Sequence, residues 1–116
     1  MRKLYLLIIC VLISTNLVIA SEAQRKISSG DLSSSTLVLA ESGRIYDIEI
    51  IATAAGGYAT VFDSENNNTS GKTKLIELRE ATQNNSKHAN LGEDGLRANR
   101  GIYVFLNDAT AIIHYR

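Results

Sequence analysis

The chain has 116 residues, with 12 Lys+Arg against 12 Asp+Glu, no Pro, no Trp and one Cys. That length allows a single domain around one small core and excludes a large catalytic domain with deep clefts. The charge balance provides no basic stripe to neutralise phosphates, so nucleic acid is not an expected partner.

Residues 1–20 read as a secretory signal peptide. Arg2 and Lys3 form a basic start, Leu4 to Ile13 is an unbroken apolar run, and Val18-Ile19-Ala20 offers a cut before Ser21. Ser21-Glu22-Ala23 offers a second cut before Gln24. A retained anchor is the competing reading, but a spanning helix needs roughly 20 apolar residues, and Ser14-Thr15-Asn16 interrupts this run. Cys10 follows Ile8-Ile9, unlike a lipid-attachment signal. The protein is therefore expected to be exported, to the periplasm, the cell surface or the medium. Membrane contact is expected only through the leader before cleavage. Loss of the leader removes Cys10, and with it disulfides, Cys nucleophiles and Cys metal sites.

Residues 21–35, with Ser28 to Ser35 rich in Ser and Gly, read as a flexible lead-in. A single domain is expected over 36–116. Thr36 to Ala40 is a short apolar run closed by Glu41-Ser42-Gly43. Arg44 to Thr53 alternates, with Tyr46, Ile48, Ile50 and Ala52 on one face and Ile45, Asp47, Glu49 and Ile51 on the other. Tyr58 to Asp63 alternates again after Gly56-Gly57, a hairpin signal. Lys74 to Glu80 suits a strand or a helical turn, and its short length among strands favours strand. Ala81 to Asn99 is the least regular stretch. Ile102 to Leu106 and Ala109 to Tyr115 are strong strands, expected to pair antiparallel because Asn107-Asp108 joins them. Short strands spaced by turns predict an all-β fold, a small antiparallel β-sandwich of jelly-roll-like or Ig-like form.

Motifs that carry chemistry are sparse. His88 lies in a polar stretch and reads as a solvated loop residue, and His114 as a partly buried structural one. Their spacing fits no zinc motif. No Gly-x-Ser-x-Gly elbow or phosphate-cradling loop is present. Glu77 and Glu80 read as a solvated charged face, because acid catalysis needs a carboxyl in an apolar pocket. No catalytic constellation emerges and no cofactor is expected. Asp63, Glu65, Asn67 and Thr69 alternate like the start of an EF-hand and are weak calcium candidates. Asn68 stands where that loop needs Gly, and Lys74 where it needs Glu. Three Asn-x-Ser/Thr matches, at Asn67, Asn68 and Asn84, are unremarkable in an Asn-rich chain. Tyr46, Tyr58, Tyr103 and Tyr115 are the binding candidates, since a Tyr ring can stack on a ligand while its hydroxyl stays wet. Aromatic residues at strand period two are nevertheless more often core.

Several features follow one another in a familiar order from Gly43 to Arg116. A strand with Ile45, Ile48 and Ile50 ends in Thr53-Ala54-Ala55-Gly56-Gly57. A strand closing at Phe62-Asp63 precedes an Asn/Ser/Thr/Gly loop and Lys74-Leu75-Ile76-Glu77-Leu78. Gly101-Ile102-Tyr103-Val104 and Tyr115-Arg116 end the chain. In this the sequence resembles small β-sandwich accessory and structural proteins of tailed phages and prophages. The resemblance implies a non-enzymatic role in a particle, whereas an export signal is foreign to that group. The expectation is an exported structural or interaction module that meets a protein partner or a second copy of itself. The alternative is a module that binds glycan or calcium.

Overall fold

The computed structural model describes residues 26–116, which form nine strands and no helix. The leader expected over residues 1–20 lies outside the described residues. The strands are β1 (Ile27–Ser28), β2 (Thr36–Leu39), β3 (Gly43–Ala52), β4 (Gly57–Asp63), β5 (Thr73–Glu80), β6 (Ser86–Asn90), β7 (Leu96–Ala98), β8 (Ile102–Asn107) and β9 (Ala109–Tyr115). They build two antiparallel sheets. Sheet A has the order β1-β9-β3-β6, with β7 also on β3, and sheet B the order β2-β8-β4-β5. β6 and β7 act as one broken strand along the same edge of β3. The chain changes sheet at almost every connection, and only β4–β5 is a hairpin within one sheet. This is a jelly-roll path, so the all-β sandwich holds, in its jelly-roll rather than its Ig form.

The core is an aliphatic layer between the sheets. Sheet A contributes Ile45, Ile48, Ile50, Ala111 and Ile113, and sheet B contributes Ala59, Val61, Leu78, Ile102 and Val104. Residues 74–80 form a strand as expected, with a register shift between Val61 and Phe62 opposite the Ile76–Lys74 stretch.

Two expected hairpins are instead corners. β3 and β4 lie in different sheets, as do β8 and β9. The turn chemistry is the same for either outcome: Gly56 has φ 77° and Asp108 has φ 53°, and such residues reverse a chain whether or not its flanks pair. What decides is that β8 and β9 are both central strands, each already paired on two sides. The two corners nest. The carbonyl of Asp108 accepts from the Thr53 amide at 2.8 Å, and a side chain at Gly57 would put its Cβ 2.0 Å from that oxygen.

Three further expectations change. The pairing of β3 with β9 shifts between Ile45 and Asp47, so β3 holds one extra residue there, a β-bulge. The bulge brings Ile45 into the core with Ile48, and moves Tyr46 off that face. The stretch 81–99 contains β6 and β7, so exposed His88 sits on a strand opposite Glu49 rather than in a loop. The described part of the lead-in, from residue 26, joins the sandwich too. Ile27 and Ser28 pair with β9, the Ser29 and Leu32 amides bond to Ile113 and Ala111, and Leu32 is buried.

Candidate functional site

Strand alternation decides which residues sheet B turns outward. Ala59, Val61 and Val104 face the core, so Tyr58, Thr60, Phe62, Tyr103 and Phe105 face the other way. Cross-strand register arranges them in three rows. Leu37, Tyr103, Phe62 and Lys74 make one; Phe105, Thr60 and Glu77 the next; Asn107, Tyr58 and Arg79 the third. Directly opposed side chains on neighbouring strands touch, so the rows form a continuous sheet-wide surface. Four of the aromatic residues thus lie outside the core rather than in it.

The surface is ordered by its own contacts. The rings of Tyr58 and Phe105 are 6.2 Å apart and tilted by 38°. The Arg79 guanidinium lies over the Tyr58 ring at 4.4 Å, a cation–π arrangement. Thr60 faces outward yet is only 2% exposed, enclosed by the larger side chains around it. Its hydroxyl donates to Glu77 Oε1 at 2.8 Å, and the Lys74 ammonium approaches the same oxygen at 3.6 Å. The Thr60 hydrogen bond, ahead of Lys74 and Arg79, holds the Glu77 carboxyl below its ordinary range against a smaller desolvating pull. Glu77 therefore stays ionised at neutral pH, with cations on both sides. Aromatic rings and an Arg on one sheet face match the composition that protein interfaces favour, whereas Glu77 and Lys74 belong to the types that interfaces deplete.

The four expected Tyr ligands do not share a site. Tyr58 and Tyr103 lie on this face, and Tyr103 is 8% exposed. Tyr46 is buried on the outer side of sheet A, with the Lys26 ammonium 4.5 Å above its ring and Gly95 against its edge. Tyr115 packs against the core. Stacking a sugar requires an open ring face, and cations cover one face of both Tyr46 and Tyr58.

The loop after β4 uses its oxygens internally. Asp63 Oδ1 accepts from the amides of Arg100 at 2.7 Å and Gly101 at 3.3 Å, which joins this loop to the approach to β8. Burial pushes its carboxyl upward, but the Arg100, Asn99 and Gly101 amides together hold it below the ordinary range. Buried Ser64 donates to the Asn66 and Asn68 carbonyls, while Asn66 Oδ1 accepts from the Asn68 amide. Glu65 meets Lys72 at 3.4 Å. Thr69 contributes its carbonyl to the Lys72 amide, and Asn67 is exposed. Two of the four calcium candidates thus have carboxylate oxygens already engaged by other groups. Among the described residues, no group of three or more His, Asp or Glu side chains is placed to hold a metal ion.

The two histidines are separate. His114 Nδ1 lies 2.5 Å from Asp47 Oδ1, and both are partly exposed on the outer side of sheet A. Glu80 turns away from Glu77 and accepts from the Thr82 amide at 3.2 Å. No protein-family model matches the sequence, and no curated protein matches it significantly.

Proposed function

We propose that the protein is an exported, non-catalytic interaction module that self-associates through the outer face of sheet B. One observation supports the reading above others. Leu37, Tyr58, Phe62, Tyr103 and Phe105 form a patch on the solvent side of a sheet whose core needs none of them. Leu37 is 38% exposed at its margin. A surface that carries an ionised Glu77 and a cationic Arg79 on one strand is complementary to its own copy. In a two-fold arrangement Arg79 of each chain can face Glu77 of the other, as an isologous interface requires. The leader-like residues 1–20 support export, and the phage-like strand pattern supports a place in a larger particle or surface layer.

Sedimentation velocity from micromolar to millimolar concentration tests this. The expected result is a concentration-dependent dimer or larger oligomer that the pair Leu37→Ser and Phe105→Ser reduces to monomer while circular dichroism is unchanged. A wild-type protein that is monomeric throughout that range overturns self-association. Burial of Tyr46 and Tyr103, with Arg79 over one face of Tyr58, favours this reading over glycan stacking, so a glycan array is expected to stay blank.

A further inference from the structure

The geometry points to a second site, a pocket for one tetrahedral oxyanion, sulfate or phosphate, on the outer side of sheet A. Arg44 and Arg97 are direct partners across β3 and β7. Arg44 and Arg116 exchange both backbone hydrogen bonds at 2.9 Å, so they oppose each other as well. Directly opposed residues project to the same side of a sheet. That side is the outer one, because the neighbouring Ile45 and Ala98 are in the core. Three arginines, from β7, from β3 and from the residue that follows β9, therefore project from one row. They line a cavity of about 170 Å³ together with Ser42 and Gly43.

The α-carboxylate of Arg116 stands at the end of the row and accepts from the Arg44 amide at 2.9 Å, but it forms no ion pair with the three guanidiniums. Among the described residues no acidic side chain lies within salt-bridge distance of any of the three. Their side-chain hydrogen bonds go to neutral acceptors: Arg44 Nη1 donates to the Asp94 carbonyl at 2.9 Å, and Arg97 Nε donates to Asn99 Oδ1 at 3.0 Å. These bonds position the guanidiniums without neutralising them. Like charges opposed across strands repel, so the arrangement is unfavourable in the free protein and is relieved by an anion. Planar forks of N–H donors suit the oxygens of sulfate and phosphate, which accept bidentate bonds. Three arginines on a short row fit a single anionic group better than an extended polyanion. The anion is either a free ion or the ester group of a larger ligand, and the chemistry at the pocket is the same for both.

The test is thermal unfolding and amide-resolved NMR titration with sodium sulfate, sodium phosphate and a sulfated disaccharide. Sodium chloride at matched ionic strength is the control. Sulfate or phosphate is expected to raise the melting temperature above chloride and to shift the amides of residues 43–44, 97 and 116 saturably. Arg97→Gln, at an exposed position, is expected to weaken binding at least tenfold while its melting temperature in chloride stays equal or rises. Arg116→Gln serves as the second variant. Tighter binding of the disaccharide than of sulfate identifies an ester as the source, and equal binding identifies the free ion. Responses equal to those in chloride overturn the site, as does undiminished binding in both variants. The pocket is on the opposite sheet from the proposed interface, so neither Arg variant is expected to alter self-association.

Discussion

Sheet B turns four aromatic rings outward, whereas the outer side of sheet A carries one, Tyr46, beside exposed Ile51, Asp47 with His114, Glu49 and the row of Arg44, Arg97 and Arg116. Both sheets meet the same aliphatic layer, built from Ile, Val, Leu and Ala. The core therefore explains why the two sheets stack but not why their outer faces differ. Sheet B also inverts the usual sorting by size. Its central strand β4 sends small Ala59 and Val61 inward and large Tyr58 and Phe62 outward. Small side chains there meet the isoleucines of β3, and the bulk that the core does not need forms the outer surface.

The comparison predicts that truncation inside should be far more damaging than truncation outside. Ile50→Ala, at a fully buried position, is expected to destabilise the protein by about 2–5 kcal/mol, read from urea unfolding. A destabilisation no larger than that of an exposed residue would mean that the two sheets do not share this layer.

The approach to β8 comes next. Gly101→Ala would place a Cβ 2.4 Å from the Ser64 carbonyl and 2.6 Å from that of Leu39. Backbone must move to admit it, so a loss of about 1–3 kcal/mol is expected. Asp63 secures the same end of the sandwich. Asp63→Ala leaves the Arg100 and Gly101 amides without their acceptor and is expected to destabilise the protein by about 1–3 kcal/mol. Because the folded-state carboxyl lies below its ordinary value of 3.8, its contribution is present above that pH and is lost as pH falls through the folded value. Acid unfolding followed by circular dichroism should accordingly show a shallower stability decline below about pH 4 in Asp63→Asn than in the wild type.

The smallest effect on stability belongs to the outer face of sheet B. Leu37→Ser, at a 38% exposed position, is expected to change stability by about 1 kcal/mol or less while weakening self-association. A large loss of stability with unchanged association would make this surface structural.

The strand spans were legible because period-two alternation survives in Asp47–Thr53, Tyr58–Asp63 and Ala109–Tyr115. Sheet membership was not. Gly56-Gly57 and Asn107-Asp108 carry the same local signal in a hairpin and in a corner, and the choice is made by partners distant in the chain. The bulge at Tyr46 was invisible for a similar reason, since an extra residue is defined only against β9. Ser86–Asn90 lacked an apolar pattern because it is an almost wholly exposed strand, held by its backbone bonds to β3. The aromatic residues of the candidate interface were visible as one alternating set, but their pattern alone does not say which face is inner. The arginine row could not be read at all. Positions 44, 97 and 116 meet only after three strands have been laid side by side.

The proposed role rests on the outer face of sheet B as a contact surface. Sedimentation equilibrium of the wild type beside Leu37→Ser/Phe105→Ser tests it most directly. Reversible association of the wild type, with a folded and monomeric double variant, is the predicted result. A wild type that remains a single 12.6 kDa species (or its leader-cleaved equivalent) at millimolar concentration would contradict it.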